Sequence, residues 1–186
     1  MLGSLGNQLA VSSQMLNNLL TWAANQREGM VADIQKMAPD IIVKEVLAVF
    51  EPIAQKKNIG IAYNPYHATM LMADESQYRI IVQNLLSNAI KFTPEGGRIN
   101  IYFTHAFGLV KIHISDSGVG IAKEKLSKLF NSFGTAITSY GTGKEKGTGI
   151  GLMIVKEFTD QNKGTVTVES EEGTGTTFSV SFPAAE

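Results

Sequence analysis

Half of this chain's 18 glycines fall in three short segments, 118–120, 141–151 and 173–175, each at the border of a strand-like or helix-like run. Glycine carries no Cβ, so such borders let backbones approach one another, or a flat ligand, more closely than any side chain permits. Asp116-Ser117-Gly118-Val119-Gly120-Ile121 directly follows an apolar alternation ending at Ser115, so an acid stands at a strand end before two glycines. Taken alone this is an acidic turn. Gly-Thr-Gly-Lys-Glu-Lys-Gly-Thr-Gly-Ile-Gly-Leu at 141–152 opens into an apolar helix, and free amides at a helix N-terminus make an anion site. It is no Walker A loop, because the Gly-Lys-Ser/Thr ending is missing, and no Rossmann turn, because a loop precedes it. Gly173-Thr174-Gly175-Thr176-Thr177-Phe178 reads by itself as a hairpin turn.

The runs between the glycines predict the elements. Leu2, Leu5, Leu9, Ser12, Leu16, Leu19, Ala23, Gln26 and Met30 alternate steps of three and four, a heptad seam made for another helix. An amphipathic helix packed on its own domain gives the same spacing. Gly3 and Gly6 fray its start and Gly29 closes it, which divides the chain into a helix at 1–29 and a domain at 30–186. Residues 30–36 read as a short edge strand, and a helix follows Pro39 to about Lys57 on a stripe of Val43, Val46, Leu47, Phe50, Ile53 and Ala54. Strands are expected at 59–63 and 69–73 around the Asn64-Pro65 turn. A long helix spans 74–91, with Asp74 and Gln77 spaced as a capping box. A hairpin at 98–104 and 109–115 follows, then helices at 123–130 and 148–161 and strands at 165–170 and 176–182. This order predicts an α/β two-layer sandwich, a mixed, mostly antiparallel sheet covered on one face by helices.

Composition narrows the chemistry. With 44% hydrophobic residues and a net charge of −1, the chain can build a core and its charge gives no reason to expect nucleic acid or a membrane surface as partner. It has no cysteine, which excludes disulfides and thiolate chemistry and suits a reducing cytosol. No apolar run approaches the ~18 residues of a membrane span, and Met1-Leu2-Gly3-Ser4 does not open a signal peptide. Opening inside a helical pattern reads as a piece cut from a longer chain, for which a membrane anchor stays open.

The long helix carries Asn84, Asn88 and Lys91 within roughly 60° of one another, beside a core stripe of Ile81, Val82, Leu85, Leu86 and Ala89. Two carboxamides and an ammonium on one side can complete a magnesium shell and neutralise phosphate oxygens. A solvated helix face is the plainer reading of that stripe. The carboxylate of Asp116 can likewise accept a hydrogen bond from an exocyclic amine such as that of adenine.

In combination these segments are far more specific. Asn-Leu-Leu-Ser-Asn-Ala-Ile-Lys-Phe-Thr at 84–93 resembles the N box of sensor histidine kinases nearly letter for letter, and 116–121 resembles the G1 box. Leu129-Phe130 through Phe133 resembles the F box, while 147–152 and 173–178 resemble G2 and G3. Asn-Leu-Leu-Thr-Trp-Ala at 18–23 looks more loosely like the second helix of the dimerisation and phosphotransfer hairpin. The resemblance implies the Bergerat ATP-binding fold shared by histidine kinases, gyrase B, MutL and the ninety-kilodalton heat-shock chaperone. It implies that Asp116 binds the adenine amine, directly and through a water shared with Thr176 or a neighbour of it, while Gly118 and Gly120 admit the base. Asn88 would ligate Mg2+, assisted by Asn84, and Lys91 would contact the phosphates. Residues 134–146 would form a lid, mobile without nucleotide, and Gly147, Gly149 and Gly151 would present amides to the triphosphate, with Thr148 between them in the ATP-binding set. Ile121, Ile150, Leu152 and Phe92 complete the implied ATP-binding set. Phe92 stands where many relatives carry tyrosine, and the lid's Lys144 and Lys146 stand without an arginine, so the lid itself offers no bidentate guanidinium clamp for the γ-phosphate.

The hydrolysing branch carries a water-activating glutamate at the place of Asn84, which cannot accept a proton at neutral pH. The resemblance therefore points to phosphoryl transfer. Neither His67 in Pro-Tyr-His-Ala, nor His105 in Thr-His-Ala-Phe, nor His113 inside a strand resembles the phosphorylated motif, a histidine before an acid with proline shortly after. The expected acceptor is a histidine on an upstream helix or another chain, and the expected partners are a response-regulator receiver domain and a second copy in a homodimer. A serine kinase of the anti-sigma-factor type and a nucleotide-binding module without transfer stay open beside this reading.

Overall fold

The computed structural model describes residues 32–65, 70–130, 141–143 and 149–185. The heptad segment, the division at 29/30, His67, Phe133, Gly147, Thr148 and all of the expected lid except 141–143 lie outside the described residues.

Alternation builds the sheet. Strand β4 (Arg98–Ala106) buries Ile99, Ile101 and Phe103, and β5 (Leu109–Asp116) buries Val110, Ile112 and Ile114, so one face is apolar throughout. Phe107-Gly108 joins them with φ of 53° and 72°, the paired positive values that match strand twist in a two-residue hairpin. Strand β7 (Gly175–Pro183) lies antiparallel to β5 and continues the apolar rows with Phe178, Val180 and Phe182. Strand β6 (Thr165–Glu171) closes that side, and β2 (Gly60–Asn64) runs parallel to β4 on the other, giving the order β2-β4-β5-β7-β6. The sheet is thus mixed and mostly antiparallel.

Three helices supply the second layer. Helix α1 (Pro39–Lys56) buries Ile42, Val43, Val46, Phe50 and Ala54, and α2 (Glu75–Phe92) buries Ile81, Val82, Leu85, Leu86 and Ala89. Helix α4 (Gly151–Gln161) adds Ile154, Val155 and Phe158. The opposite sheet face is polar: His113 bridges Thr104 and Ser179 at 2.8 Å each and stacks on Tyr102. Burial of the imidazole and the nearby Lys111 depress its pKa.

Two expected helices are corrected in their bounds, and the strands flanking Asn64-Pro65 lie in different sheets: β3 (Leu71–Ala73) pairs with β1 (Gln35–Met37) in a separate two-stranded sheet. A parallel β2–β4 pair needs a long crossover, and the 18 residues of α2 provide it. The expected helix at 148–161 begins only at Gly151, because Gly149 has φ of +73°, outside the right-handed helix. The expected helix at 123–130 is α3 (Lys123–Leu126), followed by a tight turn in which Lys128 N–H donates to the Lys125 carbonyl.

Candidate functional site

The site grows from the C-terminal half of α2. A helix leaves its last carbonyls short of intrahelical donors, and here the cap residue serves the first and other segments serve the rest. Ala89 O accepts from Thr93 N–H at 3.0 Å, Ile90 O from Lys57 Nζ at 2.8 Å, Lys91 O from Thr142 N–H at 3.1 Å and Phe92 O from Val119 N–H at 3.2 Å. The last contact draws the glycine turn after β5 onto the helix end. Asn84 is buried, and its Nδ2 donates to Ile80 O at 2.8 Å. A Cβ built on Gly151 would lie 2.8 Å from Asn84 Oδ1, so the first residue of α4 sits directly on this carboxamide. Asn88, one turn on, is half-buried, and Lys91 Nζ lies 4.8 Å from the centroid of the Phe92 ring.

Asp116 ends β5 in the apolar row, beside Thr176 of β7, so its side chain belongs to the helix-covered face. One carboxylate oxygen accepts from Gly118 N–H at 2.8 Å. Burial raises its pKa from 3.8 to about 6, against the opposing pull of the Gly118 and Thr176 backbone amides. At neutral pH it is a mostly ionised, half-buried acceptor. The glycines beside it are required by close approach. A Cβ on Gly118 would stand 2.5 Å from Asp116 Oδ1 and 2.6 Å from Phe92 O, and one on Gly175 would stand 2.0 Å from Asp116 O. Gly120, at φ +67°, leaves no room either, since its Cβ would meet Glu171 O at 1.9 Å.

One hydroxyl that sequence reasoning missed ties these turns together. Ser170 Oγ accepts from Ile121 N–H at 2.8 Å, donates to Gly175 O at 2.8 Å and lies 2.9 Å from Thr176 Oγ1. Gly173 N–H adds a bond to Val119 O at 2.8 Å. The available signal was the inward alternation Val166, Val168, Ser170, where a polar residue takes a place in an apolar row.

The structure therefore brings together Phe92, Asp116, Gly118, Gly120, Ile121 and Thr176 on one side and Asn84 with Gly151 on the other. Asn88 and Lys91 stand one and two turns beyond Asn84 on α2, and Gly149, Ile150 and Leu152 flank Gly151. An ionised acceptor beside a Cβ-free backbone suits the donor edge of a flat base, and a carboxamide stripe facing a helix N-terminus suits oxyanions. Among the described residues no three His, Cys, Asp or Glu side chains cluster as a metal cage. The donor set present is carboxamide oxygen, which fits a magnesium ion carried in largely by phosphate oxygens and water.

A two-layer sandwich with such a site defines a nucleotide-binding α/β domain. The sequence profile of the family described as histidine kinase-, DNA gyrase B- and HSP90-like ATPase matches residues 73–186, and the chain belongs to that family. The sensor histidine kinase TmoS of Ectopseudomonas mendocina is 34% identical over 91% of this chain and 18% of its own length. The sensor-like histidine kinase SenX3 of Mycolicibacterium smegmatis is 30% identical over 92% of this chain and 44% of its own. The chain thus spans less than half the length of these relatives. The catalytic domain of histidine kinase ThkA is 27% identical with a TM-score of 0.70, covering 81% of this chain and 95% of that one. Full-length ShkA in complex with AMPPNP is 27% identical with a TM-score of 0.76, over 96% of this chain and 38% of that one. Within its family, then, this chain is similar to the ATP-binding catalytic domains of sensor histidine kinases.

Proposed function

We propose that this chain binds Mg-ATP and transfers the γ-phosphoryl group to a histidine outside it, for relay to an aspartate of a response-regulator receiver domain. Asp116 takes the adenine amine, with Thr176 and Ser170 ordering that end. Asn88, assisted by Asn84, holds Mg2+, and Lys91 meets the phosphates. The bound ion offsets phosphate charge. The observation that carries transfer over hydrolysis is Asn84 itself. Its Nδ2 is committed to Ile80 O and its Oδ1 is turned to the first turn of α4, so the position where a hydrolase needs a base holds a fixed carboxamide. A kinase gains by holding ATP in line with an acceptor without activating water. The AMPPNP complex of ShkA supports an adenine nucleotide in this fold.

The working assembly in this reading is a cytoplasmic homodimer of a longer chain. Among the described residues no helix is long and apolar enough to cross a membrane. The test is γ-labelled ATP with and without an upstream phosphotransfer helix that carries a histidine. Label that is acid-labile and base-stable, on the added helix only, is expected. Acid-stable label would identify a serine kinase, and free phosphate released without an acceptor would identify an ATPase.

A further inference from the structure

We propose that Lys57 is a positioning residue for the phosphate end of the nucleotide site, an inference that rests on the ATP-binding reading above. Lys57 caps α1, its amide donating to Ala54 O at 3.0 Å while its carbonyl accepts from Gly96 N–H at 3.2 Å. Its backbone is therefore fixed at both ends. From there the ammonium reaches the C-terminus of α2. It donates to Ile90 O at 2.8 Å and approaches Lys91 O at 3.4 Å, and it also donates to Thr142 Oγ1 at 2.9 Å. Thr142 occupies the remaining acceptors, with its amide on Lys91 O and its hydroxyl within 3.1 Å of Lys91 O and 3.0 Å of Thr93 O.

One cation thus links the end of α1, the helix end that presents Lys91, and the segment 141–143 that leads toward α4. An ammonium at a helix C-terminus is stabilised by the helix dipole, and three donors on one nitrogen suit it to several carbonyl and hydroxyl oxygens. Removing it would leave Ile90 O without this donor and release Thr142 from its acceptor role. Lys91 and the chain beside it would then hold their places less well when phosphates arrive. The charge itself touches no reacting atom in this arrangement. Its role is to place Lys91 and residues 141–143.

Calorimetric titration of the chain with Mg-ATP tests this on wild type, Lys57→Met, Thr142→Val and the double variant, with melting temperatures alongside. Lys57→Met is expected to weaken binding about tenfold, the scale of one charge-assisted hydrogen bond. The double variant should bind no worse than the weaker single one, because both changes break the same link, and Lys57→Arg should restore most of the affinity. Unchanged affinity in Lys57→Met, or strictly additive losses, would overturn the proposal even if the melting temperature falls. If Lys57→Met does not fold, Thr142→Val, which removes only a hydroxyl, decides: wild-type affinity there overturns it. Wild type failing to bind Mg-ATP would instead refute the nucleotide reading.

Discussion

Asp116 concentrates the electrostatics of the site in one side chain. Replacing its carboxylate with a carboxamide keeps the shape and removes the charge. Asp116→Asn is therefore expected to fold and to lose roughly ten- to hundredfold in ATP affinity, the range of a charge-assisted hydrogen bond in a partly apolar pocket. Its pKa of about 6, raised from 3.8, sets two opposite pH trends. Without nucleotide, the folded state binds the proton more tightly than the unfolded chain does. The resulting stability is full below about 3.8 and is lost as pH rises through about 6. Nucleotide needs the ionised form, so affinity should be flat above pH 7 and fall toward tenfold per unit below 6. ATP titrates in the same range, so the informative quantity is the wild-type slope minus that of Asp116→Asn. Equal slopes would separate Asp116 from the base. Gly118 offers a test without charge: Gly118→Ala drives a methyl into Asp116 Oδ1 and Phe92 O, and binding should fail in a chain whose helices persist by circular dichroism.

The elements hold these residues by hydrogen bonds that no pattern announces. Asp74 caps α2 through Gln77 N–H at 3.0 Å, as its spacing with Gln77 foretells. Gln77 does not complete the box. Asn162, fully buried beyond α4, takes Asp74 N–H at 2.6 Å with Oδ1 and donates to Gln77 Oε1 at 2.6 Å with Nδ2. Asn162→Ala should cost about 2–4 kcal/mol, since several buried polar groups lose their partner at once; the urea midpoint reads it. Ser170→Ala is expected to weaken ATP binding several-fold, with less than about 1.5 kcal/mol lost in stability, because its hydroxyl orders Ile121 and Thr176. Unchanged binding would reduce Ser170 to a turn residue. The contrast shows what a sequence discloses. Helices and strands were legible because Val82, Leu85 and Ala89, or Ile99, Ile101 and Phe103, recur with the period of the element they build. Asp116 and the glycines were legible because close approach restricts residue type. The separation of β2 from β3 was hidden, because each finds its partner across a helix, β3 with β1 across α1 and β2 with β4 across α2, and not within the turn. Ser170, Lys57 and Asn162 were hidden because a lone polar residue shows its partners only after the chain has folded.

At the scale of the whole molecule, two parts of the chain follow different physics. Residues 32–185 contain a core shared by two layers, with Tyr78 edge-on to Phe182 at 5.3 Å and Val43, Val82, Ile99 and Val155 at 0% exposure. Such a core needs no second chain. The leading segment carries instead a seam of Leu5, Leu9, Leu16, Leu19 and Ala23, and one helix cannot bury a heptad seam on itself. Each leucine left in water forgoes roughly 1.5–3 kcal/mol, so several together favour pairing strongly. Ser12 and Gln26 weaken the seam without interrupting its register. We therefore predict a concentration-dependent dimer through residues 5–28. Sedimentation of the chain with and without residues 1–28 decides it: the shortened chain should be monomeric at every concentration, while the melting temperature and ATP affinity stay close to those of the full chain. An association state unchanged by the deletion would show that the leading helix is not the dimerisation element, and the seam would then have another occupant.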